Sequence, residues 1–131
     1  MKVLLVSPDP ATRQVMELAV RGLERRLGER PTFLRASDGV EGLELARREN
    51  PDAVVADEIA SRAGAFSLAR DLRGGVQPYL GAIVILLERK HDAWLADWSG
   101  ADAWFLKPPD PFALAERLAT ILEGRTEKER V

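Results

Sequence analysis

Apolar residues in this chain fall into short unbroken runs that alternate with longer stretches of helical spacing. The first run, residues 3–6, closes on Ser7-Pro8-Asp9-Pro10, a cluster of turn formers. From Thr12, the positions Val15, Met16, Ala19, Val20, Leu23 and Leu27 recur every three or four residues while Arg13, Glu17, Arg21 and Glu24 face away. This predicts a helix that Gly28 ends. Residues 31–36 alternate enough for a second strand, and Ser37-Asp38-Gly39 turns into a second helix over 40–49. Asn50-Pro51 then opens a valine-rich run, 53–56, which is too short for a helix and reads as a strand buried on both faces; it ends on Asp57. Residues 58–64 are irregular, and a helical pattern resumes over 65–73 through Phe66, Leu68, Ala69 and Leu72. After Gly74-Gly75 and Pro78, residues 82–87 form the most apolar run of all and must be a central strand. A short helix over 90–99 carries Trp94 and Trp98 four apart and is capped by Gly100, and 103–106 make a fifth strand. Beyond Lys107-Pro108-Pro109, Asp110 reads as an N-cap with Pro111 at the first helical position. The last helix runs through Phe112, Ala115, Leu118, Ala119 and Leu122 and stops at Gly124.

Five strands alternating with five helices demand right-handed crossovers and a parallel sheet covered on both faces, an α/β three-layer fold. Strand order is not written in the sequence. The flavodoxin-like order 2-1-3-4-5 is the expectation for five such units, with a crevice where the order switches between strands 1 and 3, lined by Ser7, Pro8, Asp9 and Asp57. At 131 residues the chain is one domain's worth. The expected division is a domain over 1–123 and a charged tail over 124–131. A net charge of −2 argues against a nucleic-acid surface as the main business. With no cysteine there is no thiol chemistry, and the single His91 cannot build a zinc site by itself. The apolar start is too short for a signal peptide and no transmembrane run is visible, so a cytoplasmic setting is expected.

Asp57 carries the chemical question. In open α/β sheets ligands and chemistry sit beyond the carboxyl ends of the strands, so an acid there is either a turn residue or part of a site. Three segments sharpen the choice: Ala36-Ser37-Asp38-Gly39, Pro51-Asp52-Ala53-Val54-Val55-Ala56-Asp57, and Gly100-Ala101-Asp102-Ala103-Trp104-Phe105-Leu106-Lys107-Pro108. In this order and spacing the chain, from Val3 to about Leu122, resembles the CheY-like receiver domain of two-component response regulators. The resemblance implies Asp57 as phosphoacceptor and Lys107 as the family's lysine, with magnesium neutralising the rest of the phosphoryl charge. It also implies a cis Lys107-Pro108 bond.

The departures from the family pattern are equally specific. Its acidic pair at the end of strand 1 is replaced here by Ser7 and Pro8, and proline offers no side-chain oxygen to a hard cation. Asp9, one place further on, is a weak candidate metal ligand that reads more naturally as a helix cap. The switch hydroxyl expected on strand 4 falls on Leu87, which donates no hydrogen bond, whereas the strand 5 aromatic is present as Trp104. A register shift would bring in Glu88 instead, an acid that repels a phosphoryl group. The loop after Asp57 has Ser61 in place of a proline, with Gly64 one place early.

The expected protein is therefore a degenerate receiver that acts by protein contact, with Asp57 and Lys107 paired and with phosphoryl chemistry weak or lost. Its partner, a histidine kinase or an output protein, would use Trp94, Trp98 and Trp104 on the helix 4, strand 5, helix 5 face. A homodimer through Ala115, Leu118 and Leu122 is expected if those residues are more exposed than a core helix needs. One rival is a working receiver phosphorylated on Asp57 with magnesium bound. Another is a flavin-binding or other small-ligand domain, disfavoured because Ser7-Pro8-Asp9-Pro10 lacks the free N–H groups of a phosphate cradle.

Overall fold

The computed structural model describes residues 1–59 and 64–130, with side chains through Arg125. Strands β1 (Lys2–Val6), β2 (Thr32–Ala36), β3 (Ala53–Asp57), β4 (Ala82–Leu87) and β5 (Ala103–Leu106) form one parallel sheet in the order β2-β1-β3-β4-β5. Helices α1 (Pro10–Leu27), α2 (Gly39–Glu49), α3 (Ala65–Arg73) and α4 (Ala93–Ser99) are the crossovers, and α5 (Pro111–Arg130) follows the last strand. The predicted architecture and strand order are both present.

Period-two alternation sorts the strand side chains onto two cores. Val3, Leu5, Ala53, Val55, Ala82, Val84 and Leu86 pack under α1 and α5, with Met16, Leu23, Leu114 and Leu118. Leu4, Val6, Val54, Ala56, Ile83, Ile85 and Leu87 pack under α2, α3 and α4, with Leu68, Leu72 and Ala96. Every residue of β3 and β4 is buried, which explains why these runs are continuously apolar rather than alternating.

The helix ends follow local chemistry. Asp9 caps α1: its Oδ1 accepts from Ala11 N–H at 3.2 Å and its Oδ2 from the Thr12 hydroxyl at 2.8 Å. Asp38 caps α2 by accepting from Glu41 N–H, and Asp110 accepts from Phe112 N–H at the start of α5. Gly28 and Gly100 close α1 and α4 in the left-handed region, at φ 73° and 92°. A Cβ on Gly100 would lie 2.7 Å from Arg73 Cγ, so this turn also needs the missing side chain for space.

Two sequence expectations are corrected. The segment over 90–99 is not one helix; Lys90–Asp92 is a 3-10 turn that precedes α4. Gly124 does not stop α5, which continues to Arg130. The reason is tertiary. Arg125 donates to both Asp102 oxygens at 2.9 Å and to the Leu80 carbonyl, so the helix is anchored one residue beyond the glycine. Asp102 also accepts from Arg73 Nη2 at 2.9 Å and from Ile83 N–H at 2.8 Å, while Arg73 reaches the carbonyls of Tyr79, Gly81 and Gly100. This network closes the end of the sheet opposite Asp57. Among the described residues no helix is long and apolar enough to cross a membrane.

Candidate functional site

The carboxyl ends of β1, β3 and β5 bring three side chains together from the α1/α5 side of the sheet. Asp57 ends β3 with its side chain 1 % exposed. Its Oδ2 accepts from the Ser7 hydroxyl at 2.9 Å. Its Oδ1 accepts from Lys107 Nζ at 2.9 Å and from Ile59 N–H at 3.1 Å. Ser7, fully buried, also accepts from Asp9 N–H at 3.1 Å and so holds the β1–α1 turn. Lys107 follows β5 and is joined to Pro108 by a cis peptide bond, as the resemblance implied.

A fourth group completes the arrangement. Glu88 Oε1 lies 2.6 Å from Lys107 Nζ. The parallel pairing of β3 with β4 sets Asp57 opposite Leu86, so residue 88, two places on, leaves the strand on the Asp57 side without any register shift. Leu87 has the opposite parity and is fully buried in the α2/α3/α4 core, against which Trp104 packs half-buried. Of the two residues that the resemblance puts at switch positions, Leu87 is thus hydrophobic core and Trp104 packs against it. Glu88 is the residue of this cluster that the sequence reading undervalued. The signal for it was strand parity, which becomes usable only once the β3–β4 register is known.

The charges are unevenly matched. Burial opposes the Lys107 charge, but the hydrogen bonds to Glu88 and Asp57 outweigh it and raise the lysine above its ordinary value. Glu58, next to Asp57, is pushed up by burial and by the acidic side chains of Asp92 and Glu88, although its hydrogen bond from Glu88 N–H, 2.6 Å, opposes the rise. Asp9 is lowered by its Thr12 and Ala11 capping bonds, so its carboxylate is committed to α1.

Magnesium, the ion the resemblance implies, does not fit this donor set. Both oxygens of the Asp57 carboxylate are already hydrogen-bonded, and the nearby Glu88 carboxylate is taken by Lys107. Pro8 supplies no side-chain oxygen, and Asp9 is turned to its helix. Among the described residues no group of three acidic or imidazole side chains is placed to hold a metal.

The aromatic residues separate by exposure. Trp94 and Trp98 are 64 % and 55 % exposed on α4, and the Arg70 guanidinium stacks over the Trp98 ring at 4.4 Å. Trp104 is only partly accessible. Of the three residues named for a dimer contact through α5, Leu118 is fully buried, and Ala115 is half-buried with its Cβ 3.1 Å from where a Cβ on Gly22 of α1 would lie. Leu122 packs partly buried against the same core. Ser61 lies outside the described residues.

A doubly wound parallel sheet in this order, with an acid ending β3 and a lysine before a cis proline after β5, is the CheY-like receiver fold. The comparisons with known proteins agree. The chain is 31% identical over 123 residues to the response regulator MprA of Mycobacterium leprae (strain TN), spanning 92% of this chain and 49% of that protein. It is 28% identical over 127 residues to the uncharacterized response regulatory protein Rv3143 of Mycobacterium tuberculosis, spanning 95% of this chain and 92% of that one. A putative response regulator from Chloroflexus aurantiacus J-10-fl superimposes with a TM-score of 0.81 at 24% identity, over 93% of this chain and 97% of that one. No protein-family model matches. Over nearly its whole length the chain is similar to response regulators of two-component signalling, and its fold is that of their receiver domain. It spans about half the length of MprA and nearly all of Rv3143.

Proposed function

We propose that this receiver works by protein contact, with magnesium-dependent phosphorylation of Asp57 weakened or lost. The observation that carries the reading is the state of the Asp57 carboxylate. Its oxygens are occupied by Ser7, Lys107 and Ile59, Pro8 offers no side-chain oxygen, and among the described residues no group of three acidic or imidazole side chains could hold a metal. A nucleophile so held makes a structural pair that ties β3 to β5. The contact surface is the exposed apolar set on and near α4 and β5, namely Trp94, Trp98 and Leu106, rather than the α5 residues Ala115 and Leu118. The partner is a two-component signalling protein, or a second copy of the chain on the same face, in the cytoplasm. The receiver unit extends past residue 123 to Arg125, whose ion pair with Asp102 supports that boundary.

The second reading is a working receiver phosphorylated by a histidine kinase. The Lys107–Asp57 distance of 2.9 Å favours it, because that lysine stands where a phosphoryl charge would need neutralising. Tryptophan fluorescence separates the two. The protein is titrated with magnesium and then beryllofluoride, a phosphoryl mimic, with Asp57→Asn as control. No saturable change in either protein is the expected result. A saturable change that the variant loses would establish the working receiver and overturn the proposal.

A further inference from the structure

We propose that Glu88 is a built-in counter-anion for Lys107 that fixes the turn after β4, and with it α4, in one position without any phosphoryl group. The inference rests on the reading of Asp57 as an unmodified partner of Lys107. Residues 86–88 are tied from both sides. Glu58 N–H donates to the Leu86 carbonyl at 2.9 Å, and Lys107 N–H donates to the Leu87 carbonyl at 2.9 Å. Glu88 N–H donates to Glu58 Oε2 at 2.6 Å, and Glu88 Oε1 receives the Lys107 ammonium at 2.6 Å. The ends of β3 and β5 thus meet at one glutamate.

The segment immediately C-terminal to Glu88 makes this anchorage consequential. It consists of the 3-10 turn Lys90–Asp92 and the seven-residue α4. The N-cap of α4, Asp92, makes no side-chain capping bond, so the start of the helix is held from outside rather than by its own cap. A seven-residue helix has little stability of its own. Its position is set by the preceding turn and by the packing of Ala96 in the core. Its outer face carries Trp94 and Trp98. In a switching receiver an external anion would bias this segment between two states. Here the bias comes from a carboxylate of the same chain, so the tryptophan face is presented permanently.

The test uses the full chain and needs no ligand. The indole N–H resonances of Trp94, Trp98 and Trp104 and amide exchange along α4 are compared in wild type, Glu88→Gln and Glu88→Ala, with Glu44→Gln as an exposed control. Glutamine keeps the shape and the backbone bond to Glu58, so that variant folds. The expected result is displaced Trp94 and Trp98 resonances with α4 protection lowered about three- to tenfold, the range set by one charge-assisted, partly exposed ion pair. Unchanged α4 protection in Glu88→Gln, with shifts confined to the Lys107 neighbourhood, would overturn the proposal while leaving the reading of Asp57 intact. Beryllofluoride uptake by wild type would overturn the reading of Asp57, and with it the permanent presentation of the tryptophan face that rests on it.

Discussion

Replacing Lys107 by methionine isolates the contribution of the buried pair, because methionine has nearly the length of the lysine stem and adapts to its channel. The Asp57 side chain, 1 % exposed, would be left without its cation. Removing one partner of a buried ion pair costs about 3–5 kcal/mol. Two features lower that figure. The Lys107 side chain is itself 17 % exposed, and Asp57 keeps its bonds from Ser7 and Ile59, each contributing about 1 kcal/mol. Glu88 also loses its partner, but at 44 % exposure water replaces much of the loss. The expected cost at neutral pH is about 2–3 kcal/mol, or a fall in Tm of about 6–12 °C. Urea unfolding followed by tryptophan fluorescence measures it. In the double variant Asp57→Asn/Lys107→Met the charge is gone from both sides, and at least half of the loss should return. The pH dependence has a definite sign. The folded-state lysine is raised, so its stabilisation is fully present below the ordinary lysine value of 10.5 and is lost as pH rises through the folded one. The cost of the substitution should therefore stay level through neutral pH and shrink only in strong alkali. A single variant within about 0.5 kcal/mol of wild type, or a double variant as unstable as the sum of its parts, would refute the buried-pair argument.

Two further outcomes rest on particular residues. Glu58 is raised above its ordinary value of 4.5 in the folded state, so the native protein holds the extra proton and loses stability as pH rises through that value; Glu58→Gln should be increasingly favoured over wild type across that window, measured as the difference in unfolding midpoint against pH, and a difference that narrows as pH rises would contradict the assignment. Gly124 lies within α5 and a Cβ there meets nothing within 4 Å, so Gly124→Ala should stabilise the protein by about 0.5–1 kcal/mol in thermal unfolding, and a loss of stability would argue against a continuous helix at that position.

The sequence by itself determined the elements, because each one is specified locally. Continuous apolar runs made β3 and β4, three-four spacing made α1, and Asp9, Asp38 and Asp110 each announced a helix start through a side chain that reaches only two or three residues. Alternation of strand and helix then left one handed, parallel solution, and Asp57 and Lys107 were legible as the ends of their strands. Tertiary structure decided what depends on register and on partners distant in the chain. The Asp57–Leu86 pairing determines which residue of β4 reaches Lys107, and it selects Glu88 over Leu87. Arg125 holds α5 past Gly124 because Asp102 waits 23 residues away, and no propensity at Gly124 could announce that. Leu118 and Ala115 had the spacing of an outward stripe as readily as an inward one until α1 was seen to pack against them. A local pattern fixes which residues share a face; what that face meets is settled by the packing of elements far apart in sequence.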